Sequence, residues 1–131
     1  MPYSDKNYFL AKIPATVLDK LSGGDDNNIT EAIKSADSLI DGYLRNQTSD
    51  LPINPVPDVI RQLSYDIAIF YLHDRIQYLD VPERVRDKYD AAINYLKDIA
   101  SGKVVIDIAE DKLKSNVTYG SNSPVINRNI F

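Results

Sequence analysis

The chain has 131 residues, with 15 basic against 19 acidic side chains and a formal net charge of −4. It holds no Cys, no Trp, one His and one Met, which excludes a disulfide framework, a thiolate metal site, a cysteine nucleophile and a His-pair zinc site within one chain. The length fits one compact domain, and the acidic balance argues against specific nucleic-acid binding, which needs clustered Lys and Arg.

The opening run, MPYSDKNYFL, lacks the basic region and apolar core of a signal peptide. No apolar run approaches the roughly 20 residues needed to span a bilayer. A soluble, intracellular chain without a membrane partner is therefore expected.

The first helical run extends from Pro14 to Leu21, with Val17, Leu18 and Leu21 apolar and Pro14 suited to the first turn. Gly23-Gly24-Asp25-Asp26-Asn27 breaks it. The next run is the most regular. Ile29, Ala32, Ile33, Ala36, Ile40, Tyr43 and Leu44 repeat at helical spacing, and Asn28 with Glu31 can form a capping box.

Three prolines between Leu51 and Pro57 exclude a helix or central strand there. A third run begins at Pro57-Asp58. Its apolar residues, among them Ile60, Leu63, Ile67, Phe70 and Leu72, cover most of the helix circumference. That helix should be contacted from several sides. The fourth run starts at Pro82 and stops near Gly102, with an apolar stripe of Val85, Tyr89, Ala92, Ile93, Leu96 and Ile99. Its outer face mixes charges. Beyond it, Lys103 to Ile108 is strand-like, Ser115 to Pro124 is polar and rich in turn residues, and Val125, Ile126, Ile130 and Phe131 restore apolar character. The fold expected is all-α: a small bundle of three long helices plus a short N-terminal helix over residues 1–104, then an extended tail over 105–131 with a short strand.

Individual side chains have ordinary readings. His73-Asp74-Arg75 is adjacent on a helix and not mutually facing, so it reads as a surface cluster near a helix end. Asp25 to Asn28 fails the calcium-loop pattern, since Ile29 stands at its fifth position. The nine Tyr residues lack interleaved bases and read as half-buried packing residues. Gly42, within a helical run, costs about 1 kcal/mol relative to Ala, so close packing against another helix is expected there. Asp41 beside it is expected to meet a backbone N–H, a Lys or an Arg.

The ordered set Ile40-Asp41-Gly42-Tyr43-Leu44, Leu51-Pro52, Asp66 and Ala68, Tyr71, then Tyr89 and Ile93 through Gly102, resembles the Mu-like bacteriophage and prophage family, whose members are similar to the head–tail connector (adaptor) proteins of tailed phages. The likeness covers about residues 1 to 104. Two departures are apparent: Ser49-Asp50 replaces a basic–aromatic pair before Leu51-Pro52, and the chain past Ile106 is longer than the family pattern.

The resemblance implies a structural subunit in the virion neck. It would self-associate into a ring on the portal protein and contact tail or neck proteins, with no reaction and no cofactor. Candidate assembly contacts are Arg84, Lys88 and Lys97 on the last helix and Val125, Ile126, Ile130 and Phe131 in the tail. In such a ring, acidic residues of the second run, Glu31 and Asp37 among them, are candidates for a lumen that repels passing DNA. The alternative is a non-virion cytoplasmic helical interaction or regulatory module. An enzyme is not expected, for want of a nucleophile, metal or phosphate-cradle motif.

Overall fold

A computed structural model describes residues 2–76 and 80–106. They form five helices: α1 (Lys6–Lys12), α2 (Ala15–Ser22), α3 (Asp26–Leu44), α4 (Asp58–Asp74) and α5 (Glu83–Ala100). No strand occurs among the described residues, and the expected strand is absent over residues 103–106. Residues 107–131, with Val125, Ile126, Ile130 and Phe131, lie outside the described residues.

The three long helices are those the apolar periodicity marks. α3 buries Ile29, Ala32, Ile33, Ala36, Ile40 and Leu44, one continuous stripe. α4 buries Ile60, Leu63, Ser64, Tyr65, Ile67, Ala68, Ile69 and Leu72. This wide apolar arc lets it touch α2, α3 and α5 together. α5 buries only Ala92, Leu96 and Ile99, so it lies against the bundle by one side. Gln47, just past α3, donates through Nε2 to the carbonyls of Ile99 (3.0 Å) and Val104 (3.1 Å). The ends of α3 and α5 are therefore neighbours, the two helices run parallel, and α4 returns between them.

The helix boundaries follow local chemistry. α5 ends in a paired closure: Gly102 N–H donates to Ile99 O (3.1 Å) and Lys103 N–H to Asp98 O (2.9 Å). Gly102 stands at φ +88, a left-handed conformation that a side chain would strain. α3 starts three residues before the expected capping box. Asp25 is the cap, its Oδ1 accepting from Asn27 N–H at 2.9 Å, while Asn28 turns back to donate to the Ser22 carbonyl at 2.8 Å.

α1 adds a second short helix at the N-terminus, which the apolar pattern does not announce. Asp5 caps it, Oδ1 accepting from Tyr8 N–H at 2.9 Å. Its one buried residue, Phe9, meets the Tyr65 ring edge-on at 4.9 Å. The exposed Lys6–Asp26 ion pair at 3.0 Å joins α1 to the start of α3 and contributes little in water.

Gly42 corrects the expectation of close packing. It is exposed, and a Cβ placed on it would meet nothing within 4 Å among the described residues. With no steric reason for glycine in this helix, Gly42→Ala should stabilise the fold by about 1 kcal/mol. A rise of about 4 °C in the midpoint of thermal unfolding would show it; a fall would show that something else occupies that space.

Candidate functional site

The family-motif residues separate into four places. Ile40, Leu44 and Ala68 are fully buried core, and Ile93 packs half-buried against it. Gly102 terminates α5.

The second place is a polar clamp around the N-terminal segment. Tyr3 lies 1% exposed. Its hydroxyl donates to Asp41 Oδ1 and accepts from Ile53 N–H at 2.9 Å. Its own backbone N–H donates to Asp37 Oδ2 at 2.8 Å. Asp37 Oδ1 accepts from the Ser64 hydroxyl at 2.7 Å, so Ser64 accepts in turn from Ser4 at 2.7 Å. Burial pushes the Asp37 carboxyl above its usual range, against the pull of the Tyr3 and Ser64 donors. Burial and the Asp41 hydrogen bond push the Tyr3 phenol up as well.

Asp41 thus meets a phenol, not the backbone N–H or cation expected of it. Asp37 and Asp41 are half-buried, and each accepts a hydrogen bond from Tyr3. Leu51 is half-buried and Pro52 exposed beside Ile53, whose side chain is core. A groove of about 490 Å³ runs between this segment and α3, with Pro2, Ile33 and Asp41 among its walls.

On the α4–α5 face, Phe70 stacks on Tyr89 at 4.0 Å, and the Tyr71 ring lies 6.2 Å from each. Tyr43 adjoins them, and burial pushes the Tyr71 phenol up. Tyr43, Tyr71 and Tyr89 are half-buried packing residues, as their sequence context implies.

The fourth place is a cleft of about 310 Å³ where α1 and α2 meet α4 and α5. Val17, Leu21, Ile69 and Val85 supply apolar walls, and three cations, Lys12, Arg84 and Lys88, line the cleft together with one carboxylate, Asp66. Burial raises the Asp66 carboxyl, opposed by the Gln62 amide, which donates at 2.9 Å, and by Lys88 and Lys12. His73 lies here too, its imidazole pushed toward neutrality by burial. Lys12 donates to Gln62 Oε1 at 3.0 Å. Arg84 and Lys88 are exposed and make no ion pair among the described residues. Val17 remains 40% exposed.

The structure therefore joins Asp66, Arg84 and Lys88 in one site and leaves Lys97 outside it. Lys12 and His73 belong to the same cleft, and no sequence spacing links either to α5. Among the described residues, no group of three or more His, Asp or Glu could hold a metal ion, and no helix is long and apolar enough to cross a membrane.

The family described as Bacteriophage Mu, Gp36 matches residues 3–122 of the chain. The protein belongs to that family. The match continues well past residue 104, so most of the tail lies within the family pattern rather than beyond it. A relative, the Mu-like prophage FluMu protein gp36 of Haemophilus influenzae, is 28% identical over 87 residues. That alignment takes in 66% of this chain and 58% of the relative.

Proposed function

We propose that the protein is a head–tail connector subunit of a tailed phage or prophage. It assembles into a ring between the portal and the tail, contacts portal and neck or tail proteins, and resides in the virion neck after assembly in the host cytoplasm. The observation that carries this reading is membership of the phage Mu Gp36 family over residues 3–122. The architecture is compatible with it: a small rigid bundle whose polar interior groups are tied to one another, with an unpaired cationic cleft on one side. In this reading the protein acts by binding alone and catalyses no reaction.

Electron microscopy of particles made without the protein is the test. Filled heads separated from complete tails are expected. Normally joined particles would sink the reading and favour a non-virion interaction module.

A further inference from the structure

The cationic cleft has an exposed apolar residue, Val17, a half-buried one, Val85, and two bases that make no ion pair among the described residues. A segment that matches it lies in the same sequence. Immediately after Ile106 the chain reads Asp107-Ile108-Ala109-Glu110-Asp111, three acids around two apolar residues. Such a segment offers carboxylates to Lys12, Arg84 and Lys88, and Ile108 to the Val17–Val85 walls.

Ile108 of the subunit's own chain falls short of the Val85 wall of its own cleft. Val104 is fastened to Gln47 beside Ile99, at the end of α5. Arg84, Val85 and Lys88 occupy the opposite end of that helix. From Ile99 back to Lys88 and Val85 is about 17 to 21 Å along the helix axis alone. Four residues separate Val104 from Ile108, a reach of at most about 14 Å even when fully extended.

We infer that the cleft between α1–α2 and α4–α5 receives residues 107–111 of a second copy of this chain. The contact is heterologous: one end of the subunit enters a different surface on the next. Repeated, it closes a ring or extends a filament. Under the connector reading, on which its biological role rests, it is the contact that links neighbouring subunits. Like other charge-steered contacts it should weaken with salt.

The test uses a fluorescent peptide spanning Val105 to Lys114, titrated into the full chain and followed by anisotropy. Saturable binding is expected. The exposed pair Arg84→Glu and Lys88→Glu should weaken it at least tenfold, whereas Lys97→Glu should leave it unchanged. A peptide carrying Asp107→Lys, Glu110→Lys and Asp111→Lys should recover binding to the Arg84→Glu/Lys88→Glu chain. Equal binding to all chains, or none to the native chain, overturns the inference; the latter would also be the result if each cleft held its own tail. The connector reading fails separately. If the peptide binds as described while particles lacking the protein are normal, the contact stands and the neck assignment falls. If no peptide binds while such particles have separated heads and tails, the assignment stands and the contact falls.

Discussion

Tyr3→Ala should lower stability by about 3 to 5 kcal/mol, the scale for removing a buried aromatic side chain. The ring is 1% exposed, and its hydroxyl is the meeting point of Asp41 and the Ile53 N–H. Tyr3→Phe separates the two contributions. It keeps the ring and deletes the hydroxyl, leaving a buried N–H without its acceptor, at about 1 to 3 kcal/mol. The ordering native, then Tyr3→Phe, then Tyr3→Ala should appear in denaturant midpoints with an unchanged denaturant slope. A Tyr3→Ala chain as stable as the native one would show that the N-terminal segment rests on the bundle without holding it. Asp37→Ala probes the same clamp from the other side, since it removes the acceptor of both the Tyr3 N–H and the Ser64 hydroxyl.

The clamp was illegible in the sequence for a physical reason. Its partners are 27 to 60 residues apart, and no local period relates Tyr3 to Asp41 or Ser4 to Ser64. Periodicity reports which face of a helix is apolar, and so α3, α4 and α5 were readable. It does not report which polar residue at the edge of that face is turned inward. Asp37 and Asp41 look like solvent-facing acids in a helical wheel, yet each accepts a hydrogen bond from Tyr3. Gly42 illustrates the same limit in reverse. Its cost to the helix is legible, but whether anything covers it depends on the tertiary arrangement, and nothing among the described residues does.

The cleft was half legible. Arg84 and Lys88 stand on the mixed-charge face of α5, and Asp66 belongs to the family motif, so each carries its own signal in the sequence. Their convergence, and the addition of Lys12 and His73, follows from α1 and α2 folding back across α4. α1 itself is hard to read. Seven residues are too few for a repeating stripe, and only one of them is buried. Its capping residue, Asp5, is the one local sign of a helix start, since Asp favours that position.

That single buried residue makes Phe9→Ala the other substitution of large effect. An isolated helix of seven residues has almost no stability in water, so α1 persists because Phe9 is anchored against Tyr65 in the core. Truncation should cost about 3 to 5 kcal/mol, an unfolding midpoint lower by about 10 to 20 °C. Phe9→Leu refills most of the volume and should cost far less. The loss should also be uneven across the molecule. Amide exchange in Lys6–Lys12 should become fast while the centres of α3 and α4, which bury their own stripes, keep most of their protection. Uniform loss of protection would mean that α1 is a cooperative part of the bundle and not an appended brace. Because α1 delivers Lys12 and Ile13 to the cleft wall, its release removes one of the three cations there. The Phe9→Ala chain should then bind the Val105–Lys114 peptide more weakly than the native chain, though less weakly than the chain that has lost both Arg84 and Lys88.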